Sequence, residues 1–460
     1  MKKVAMIGLD GMHWPILNKL FDWGVMPNLR KLAIESFKGT LRSTIPPESA
    51  TAWTTIATGV NPGKHGIFGF TRPTKGYNDT RILNSQDVKY LRIHEMVAAQ
   101  NLKSVCINQI LTYPIKRFNG SSIITDWLSP EIKYSRDIER FAKGYHGPTL
   151  TKTSSLLAKN WNDEYSELSS RVDTTNALMK EIDWDLFWVV YSEPDHLFHR
   201  YYELVRKGNK EVMKLFAKMD ETFGIVKDLV DLLIITSDHG FARFRHAIYI
   251  NTFLQKLGLA NSVKQEILKD LVCHRQVEEQ KMTFQLPRET YRILSALPAP
   301  VELILSKIYK QLLKSDIKAE MTTYVDPKSS RAFAHGFGIY LKEKELTDRV
   351  VSILKKMQFV GGVWKKEDIY NGNNLEGFPD IVAMPNFSKG FALRSDTITP
   401  KSIVRRDFAS HHPDGIVMIY KDEMKPRMVN AITVYDIVPT ILNHLELEIP
   451  QDADGTAIKL

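Results

Sequence analysis

Residues 4–10 read Val-Ala-Met-Ile-Gly-Leu-Asp, a short apolar run that ends in a carboxylate. Two later runs have the same form, because residues 184–191 lead to Asp195 and residues 232–236 lead to Asp238. An unbroken apolar run of this length indicates a strand that is buried on both faces, as in a parallel sheet. Helical patterns lie between the runs. The sequence therefore predicts an α/β fold with a mostly parallel central sheet that is flanked by helices.

Acidic and imidazole side chains lie at the ends of the predicted strands. In open α/β sheets, ligands bind beyond the carboxyl ends of the strands, so these side chains are expected to meet there. Carboxylates and imidazoles are costly to bury together without partners, and a pair of divalent cations removes that cost. These ligand types suit zinc, with manganese or iron as alternatives. The candidate ligands are Asp10, Asp195, His199, Asp238, His239 and His411.

Each part of this group also has a simpler interpretation. Asp195 and His199 are four residues apart, so one helical turn would put them on one face, but such a pair is often only a surface pair. Residues 238–240, Asp-His-Gly, could serve one ion from an irregular loop that the glycine permits, or could be a plain turn. His411 could be an ordinary loop histidine. Their shared position at strand ends favours the metal-site interpretation.

A hydroxyl-rich helix is predicted after the first strand. Residues 46–59 read Pro-Pro-Glu-Ser-Ala-Thr-Ala-Trp-Thr-Thr-Ile-Ala-Thr-Gly, which indicates a helix that starts near Ser49 and ends at Gly59. A serine at the positive end of a helix lies where backbone N–H groups can hold an anion. The simpler interpretation of Ser49 is an N-cap residue, and Thr51 and Thr54 offer further hydroxyls.

The composition is that of an ordinary globular protein, with 43% hydrophobic and 25% charged residues in a chain of 460. The net charge of +9 suits an anionic substrate, nucleic acid or acidic lipid, and selects none of them. Two cysteines, Cys106 and Cys273, favour a reducing compartment. The first apolar run is too short for a signal peptide, and no run is long enough to span a membrane. We therefore expect a cytoplasmic location.

The sequence pattern changes after about residue 246, so the chain is expected to hold one large domain with an insertion. We expect residues 1–246 and 401–460 to form the catalytic core. Residues 247–400 are expected to form an inserted α+β cap that determines which substrate is accepted.

Within the predicted cap, we expect helices over 253–320 and one strand over 331–341. A basic amphipathic helix at 301–314 fits packing against the core of the cap, and peripheral contact with a membrane surface is the minority interpretation. Aromatic residues are expected to line the pocket. They include Trp364, Tyr370 and Phe387.

The polar motifs occur in an order that resembles a known family. They are PPxSxxAWTxxxTG at residues 46–59, NPGKHGIF at 61–68, EPDxxxH at 193–199, SDHGF at 237–241 and HxPDGI at 411–416. With Asp10 after the first strand, this order resembles the alkaline phosphatase superfamily, in particular its type I phosphodiesterase/nucleotide pyrophosphatase branch. The resemblance spans almost the whole chain and implies an alkaline-phosphatase-like core.

The resemblance also implies a role for each candidate residue. The nucleophile of the family lies nine residues before the threonine of the Thr-Gly pair, and counting back from Thr58 selects Ser49. The resemblance implies one metal ion held by Asp195, His199 and His411, and a second held by Asp10, Asp238, His239 and the Ser49 oxygen.

The chain departs from the family pattern at two positions. Nucleotide pyrophosphatases of the family have an asparagine for the phosphoryl oxygen where this chain has Phe70, and their usual nucleophile is threonine rather than serine. Both departures leave nucleotide specificity open.

The resemblance implies a two-metal phosphoric ester hydrolase that acts through a phosphoserine at Ser49 on a small anionic phosphate ester. A phosphomonoesterase or a phosphomutase of the same superfamily is the alternative. A sulfatase is disfavoured, because residues 49–53 lack the proline and arginine of the sulfatase motif. A membrane-surface or nucleic-acid-binding module is a further alternative, but no basic stretch interleaved with aromatic residues supports it. The sequence does not indicate the oligomeric state.

Overall fold

A computed structural model of the protein describes residues 2–77, 79–149, 161–268, 319–395 and 397–460. Its strands are Val4–Leu9 (β1), Phe37–Arg42 (β2), Thr71–Pro73 (β3), Thr80–Ile82 (β4), Ser104–Ile107 (β5), Ser121–Ile124 (β6), Leu186–Tyr191 (β7), Leu232–Thr236 (β8), Gly240–Tyr249 (β9), Ser262–Leu268 (β10), Ala319–Val325 (β11), Ala332–His335 (β12), Gly338–Leu341 (β13), Val360–Lys365 (β14), Ile381–Pro385 (β15), Phe391–Arg394 (β16), Ile403–His412 (β17), Asp414–Tyr420 (β18) and Met428–Thr433 (β19). Its α-helices are Trp14–Asp22, Pro27–Glu35, Ser49–Thr58, Pro62–His65, Ile93–Ala99, Glu139–Ala142, Trp161–Glu181, Glu193–Arg206, Lys210–Val226, Ile250–Lys256, Thr347–Lys355, Lys366–Ile369 and Ile437–His444.

An eight-stranded sheet forms the centre of the molecule, in the order β19-β2-β18-β8-β1-β7-β5-β6. Its strands run in one direction except β18, which is antiparallel to both of its neighbours. The three apolar runs that end in carboxylates are the adjacent strands β8, β1 and β7. The predicted fold class, a mostly parallel sheet flanked by helices, is confirmed.

The central sheet is covered on both faces, and this explains why its strands are apolar throughout. Along β1, the side chains of Ala5 and Ile7 enter one hydrophobic core, and those of Val4 and Met6 enter the other. The first core is covered by the helices Trp14–Asp22, Pro27–Glu35, Trp161–Glu181, Glu193–Arg206 and Lys210–Val226. The second core is covered by Ser49–Thr58, Ile93–Ala99 and Ile437–His444. The carboxyl edge of the sheet therefore lies between two layers of helices.

The helix Ser49–Thr58 is anchored to the sheet by its central tryptophan. Trp53 is fully buried, and its ring covers Gly8 so closely that a Cβ at Gly8 would collide with it. The helix ends, as predicted, at Gly59, whose φ of 71° is in the left-handed region that glycine adopts without strain. These contacts fix the start of the helix at the edge of the sheet.

Smaller sheets are built from the later part of the chain. One is four-stranded and antiparallel in the order β12-β13-β15-β14, and another is three-stranded in the order β16-β9-β17. The prediction of one strand over 331–341 was wrong, because β12 and β13 form a hairpin that turns at Gly336, where φ is 57°. The prediction of helices over 253–320 was wrong at β10, which pairs with β11.

The rest of that predicted helical segment, including the amphipathic helix at 301–314 and Cys273, lies outside the described residues. Cys106 is a buried free thiol. The limits of the cap stay a prediction, and β9 crosses the expected boundary at 246 to pair with β17 beyond residue 400. Among the helices of the described ranges, none has the length and apolarity needed to cross a membrane.

Candidate metal centre and nucleophile

The ends of three neighbouring strands bring the predicted ligands together. β8, β1 and β7 are parallel, with Gly8 beside Thr236 and Leu9 beside Tyr191. Asp10 follows β1 directly and donates its backbone N–H to the Tyr191 carbonyl at 2.9 Å. The edge at which open α/β sheets bind ligands is therefore the edge that carries the carboxylates.

Asp10, Asp238 and His239 form an inner group of ligand atoms. The three side chains are buried, and their ligand atoms lie within 4.8 Å of one another. His239 Nε2 is 3.3 Å from Asp238 Oδ2 and 3.7 Å from Asp10 Oδ1. The hydroxyl of Ser49 adjoins this group, at 3.1 Å from His239 Nε2 and 3.5 Å from Asp10 Oδ1.

Asp195, His199 and His411 form an outer group with the same spacing of ligand atoms. The helix Glu193–Arg206 carries Asp195 and His199 one turn apart, as their spacing predicted. The Nε2 atoms of His199 and His411 are 2.8 Å apart, and Asp195 Oδ1 lies 3.5 Å and 3.4 Å from them. Asp195 is buried whereas His199 is exposed, so the outer group opens to solvent.

His411 lies on a strand, which excludes the loop interpretation. It is part of β17 and pairs with Phe241 on β9. Its ring stacks on that of His239, with 3.8 Å between ring centroids, so the inner and outer groups form one site. His411 Nδ1 lies 3.0 Å from the Pro47 carbonyl oxygen, which can only accept, so Nδ1 carries the proton and Nε2 is directed towards Asp195.

The donor atoms of both groups suit divalent cations. Oδ1 of Asp195 and Oδ2 of Asp238 are buried and accept no hydrogen bond from the part of the chain that the structure describes. Their nearest imidazole nitrogens, at 3.4 Å and 3.3 Å, have the geometry of ion pairs rather than of hydrogen bonds. Such orphaned carboxylate oxygens beside imidazoles are the ligand set that zinc and related ions take.

Burial and neighbouring charges shift the pKa values of these groups in opposite directions. Burial, together with the charges of Asp238 and Asp195, raises the pKa of Asp10 well above its usual value. Burial also raises the pKa of Asp238 to about 7. For Asp195, His199 and His411 outweigh burial and hold the pKa well below its usual range. Burial lowers the pKa of His239, so its imidazole is neutral, which is the form that binds metal ions.

Gly240 is needed for close packing and not for an unusual backbone angle. The prediction was that this glycine permits an irregular loop, but its φ is not in the left-handed region. A Cβ at Gly240 would collide with the carbonyl oxygen of Asp414 and would lie 3.3 Å from the Cβ of His13. The absence of a side chain therefore lets β18 approach the turn that carries His239.

The hydroxyls of the helix Ser49–Thr58 differ in their partners. Thr51 donates to the Phe68 carbonyl, and Thr54 donates to the Ala50 carbonyl at 2.6 Å. Ser49 alone among these three has its hydroxyl directed at the inner group. The choice of Ser49 over Thr51 and Thr54 as the candidate nucleophile thus has a geometric reason.

Two neighbouring hydrogen-bond donors orient the inner group. Trp53 Nε1 donates to Asp10 Oδ2 at 3.0 Å, and the backbone N–H of Gly11 donates to Asp238 Oδ1 at 3.3 Å. Two histidines outside the predicted ligand set have other partners. His65 Nε2 lies 3.0 Å from the Thr55 hydroxyl, and His13 Nε2 lies 3.2 Å from the Tyr202 hydroxyl.

Glu48 is a residue that sequence reasoning missed. It occupies the N-cap position of the helix Ser49–Thr58 but makes no capping hydrogen bond with its side chain. Burial raises the pKa of Glu48 to about 7, and the charge of His411 opposes this shift. The only sequence feature that could have indicated a role for Glu48 is its position directly before Ser49. A glutamate near the start of a helix also has a simpler explanation, because an acidic side chain there stabilises the helix dipole.

Phe70 is at the position where the family resemblance implies a phosphoryl-binding asparagine. Its ring packs against Trp127, with 5.7 Å between centroids, and Trp127 in turn meets the edge of His196 at 5.6 Å. Phe70 is therefore part of an aromatic contact that reaches the helix of Asp195.

The three aromatic residues expected to line the pocket lie in different places. Tyr370 donates its hydroxyl to the Ile45 carbonyl, just before residues 46–59. Phe387 packs against His412 with 5.3 Å between centroids. Trp364 lies on the edge strand β14.

The fold and the paired ligand groups beside Ser49 define an alkaline-phosphatase-like protein. The sequence profile of the type I phosphodiesterase / nucleotide pyrophosphatase family matches residues 4–394, and the chain belongs to this family. The family is one of enzymes that hydrolyse phosphoric esters, and the resemblance stated from the motifs is confirmed.

Individual relatives are more distant. The human ectonucleotide pyrophosphatase/phosphodiesterase family member 7 is 29% identical over 142 residues, which is 28% of this chain and 30% of that protein, so the match spans less than a third of its length. Phosphonoacetate hydrolase from Sinorhizobium meliloti 1021 superposes with a TM-score of 0.60 at 14% identity, over 96% of this chain and 95% of that one. Human ectonucleotide pyrophosphatase / phosphodiesterase 5 has a TM-score of 0.56 at 13% identity, over 99% and 97% of the chains. At these identities, the two structures show the shared fold alone.

Proposed function

We propose that the protein is a two-metal phosphoric ester hydrolase that acts on phosphodiesters or pyrophosphate-linked compounds through a phosphoserine at Ser49. The observation that carries the proposal is the position of the Ser49 hydroxyl, 3.1 Å from His239 Nε2 and 3.5 Å from Asp10 Oδ1. Membership of the type I phosphodiesterase / nucleotide pyrophosphatase family supports the reaction class.

The inner and outer groups would each hold one divalent cation, for which zinc suits the ligands best and manganese is the alternative. The outer group offers one carboxylate and two imidazoles. The inner group offers two carboxylates and one imidazole, with the Ser49 oxygen beside them. When bound, such ions supply Lewis acidity that neutralises charge on the phosphoryl oxygens.

In the proposed reaction, Ser49 Oγ attacks phosphorus in line with the ester oxygen that leaves. The bond between Ser49 and phosphorus forms while the bond to the leaving alcohol breaks, and the alcohol takes up the proton that the Ser49 hydroxyl gives up. The phosphoserine still carries the second ester group. Water then attacks its phosphorus, the Ser49 oxygen leaves and takes up a proton, and a phosphate monoester is released. The first N–H groups of the helix Ser49–Thr58 have no partners within the helix, so they can donate to the phosphoryl oxygens.

Two hydrogen bonds hold the ligand side chains in place for this reaction. The Pro47 carbonyl accepts from His411 Nδ1, so the other ring nitrogen faces the outer group. Trp53 donates to Asp10 and leaves the second carboxylate oxygen towards Ser49. Such supporting contacts fix the orientation of metal ligands and tune their affinity.

The test is the variant Ser49→Ala in the zinc-loaded protein. This change removes the attacking oxygen but no carboxylate or imidazole, so hydrolysis of bis-p-nitrophenyl phosphate should fall at least about a thousandfold while metal content stays near that of the wild type. Asp238→Ala should lose metal as well as rate. Thr54→Ala removes a hydroxyl from the same helix and is the matched control, with activity near that of the wild type.

Near-normal activity of Ser49→Ala would show that Ser49 is not the nucleophile. The same assay with p-nitrophenyl phosphate separates a diesterase from a phosphomonoesterase, because a diesterase prefers the first substrate. Addition of a chelator should abolish turnover of both esters, and turnover that persists with chelator contradicts the metal requirement.

A further inference from the structure

We propose that Glu48 selects the ester group carried by the phosphate, favouring groups with a positive charge or hydrogen-bond donors and rejecting groups with a negative charge. This inference rests on the proposed phosphoric ester hydrolase, and it narrows the substrate class to diesters of amino alcohols or polyols. It disfavours compounds in which a second phosphate follows the reacting one.

The position of the Glu48 carboxylate is the first observation. Glu48 directly precedes Ser49, yet its side chain does not cap the helix and extends instead towards two glycines. A Cβ at Gly69 would lie 3.0 Å from Glu48 Oε2, and a Cβ at Gly336 would lie 3.8 Å from Glu48 Oε1. Gly69 precedes β3, and Gly336 lies in the turn between β12 and β13. The carboxylate thus lies between two separate parts of the chain, and an added Cβ would crowd it at Gly69 but would make an ordinary van der Waals contact at Gly336.

The second observation is that the carboxylate of Glu48, a partly exposed residue, has no side-chain partner among the described residues. Within the described ranges, Glu48 accepts no side-chain hydrogen bond and forms no ion pair with a lysine or arginine. The charged group that acts on it is His411, whose Nδ1 is bonded to the carbonyl of Pro47, the residue before Glu48. Since His411 also belongs to the outer group, the carboxylate stands beside the reacting centre with its hydrogen-bonding capacity free.

Aromatic residues lie close to the Glu48 carboxylate. Burial and the Glu48 carboxylate both raise the pKa of the nearby Tyr340 and Tyr370 phenols. These rings and Phe68 are buried, and Phe68 and Tyr370 pack edge to face with 6.3 Å between centroids. An apolar wall on one side reduces screening by water, so a charge on the ester group interacts more strongly with the carboxylate.

This arrangement should discriminate between substrates by the charge of their ester groups. An ammonium or hydroxyl on the ester group can donate to the Glu48 carboxylate, whereas a carboxylate or a second phosphate would be repelled by it. A substrate with a negatively charged ester group therefore loses affinity even when its reacting phosphate is identical.

The experiment uses three p-nitrophenyl phosphodiesters that differ in the second ester group: 2-aminoethyl, propyl and 2-carboxyethyl. The wild-type protein should hydrolyse the aminoethyl ester with the highest kcat/KM and the carboxyethyl ester with the lowest. In Glu48→Gln, which keeps the size of the side chain, the ratio of these two values should fall at least tenfold. Gly69→Ala keeps the charge but displaces the carboxylate, and should lower the same ratio.

Glu181→Gln is the matched control, because Glu181 is exposed and precedes β7, at the opposite edge of the sheet from Asp195. This control should keep the wild-type ratio. An unchanged ratio in Glu48→Gln, with metal content equal to that of the wild type, would overturn the role of Glu48 while leaving the proposed hydrolase intact. If the wild-type protein hydrolyses none of the three diesters, the proposed function fails and the role of Glu48 fails with it.

Discussion

At the scale of single residues, the sequence identifies the candidate ligands other than His411 because each follows an apolar run, and strand ends meet at one edge of a parallel sheet. Asp10, Asp195 and Asp238 could be chosen in this way without coordinates. The role of Glu48 could not, because its carboxylate lies against Gly69 and Gly336, and these residues are far apart in sequence. Contacts of this kind follow from tertiary packing, which a local pattern does not encode.

A residue outside the candidate site gives a prediction about stability. His94 is fully buried, and neither ring nitrogen has a hydrogen-bond partner among the described residues. Burial, and then the charge of Arg92, lowers the pKa of His94 to about 3. His94→Leu replaces the unpartnered polar ring with an apolar side chain of similar volume. We therefore expect the free energy of unfolding at pH 7 to rise by about 1–3 kcal/mol.

The pH dependence of this variant has a definite sign. Because the pKa of His94 is lower in the folded protein than in the unfolded chain, the unfolded chain takes up the proton first as the pH falls below about 6.5. Wild-type stability is therefore lost through this residue at about 1.4 kcal/mol per pH unit, and His94→Leu avoids that loss. Urea unfolding at pH 7 and pH 5 should show the advantage of the variant widen by about 2 kcal/mol. A constant advantage would contradict the prediction, and His146→Leu at an exposed position is the control.

At the scale of elements, hydrophobic pattern predicts the buried strands better than the small antiparallel ones. β7 and β8 are continuous apolar runs, and their positions follow directly from the sequence. The hairpin of β12 and β13 reads as one strand over 331–341, because its apolar pattern continues through the turn at Gly336. The simpler interpretation of His411 is a loop histidine, yet β17 extends to His412 through its pairing with β9.

The contact between β9 and β18 gives the prediction at this scale. Gly240→Ala would place a Cβ against the Asp414 carbonyl oxygen, so one of the two strands has to move. We expect a loss of stability of about 1–3 kcal/mol, as in other overpacked positions, and a weaker affinity for zinc because His239 precedes this residue. Gly144→Ala is the matched control, since a Cβ there would have no heavy atom within 4 Å. Thermal unfolding and zinc titration measure both effects, and a variant with wild-type values in both would refute the packing argument.

At the scale of the whole molecule, the candidate site joins parts of the chain that are distant in sequence. The inner group draws on residues after β1 and β8, and the outer group draws on the helix Glu193–Arg206 and on β17. The Ser49 helix and the Asp195 helix belong to different hydrophobic cores on opposite faces of the sheet. Ions held here would therefore connect both helical layers to the sheet and to the three-stranded sheet that contains β17.

This connection predicts that bound metal stabilises the entire fold. An ion that binds the folded protein and not the unfolded chain adds about 2.7 kcal/mol when its free concentration is a hundred times its dissociation constant. Calorimetry with zinc and then with excess chelator should show a lower Tm without metal. Ser49→Ala should keep this difference, because its carboxylates and imidazoles are intact, whereas Asp238→Asn should reduce it, because the inner group loses a charged ligand. Equal Tm values with zinc and with chelator in the wild-type protein would show that these buried carboxylates and imidazoles are held together by packing alone.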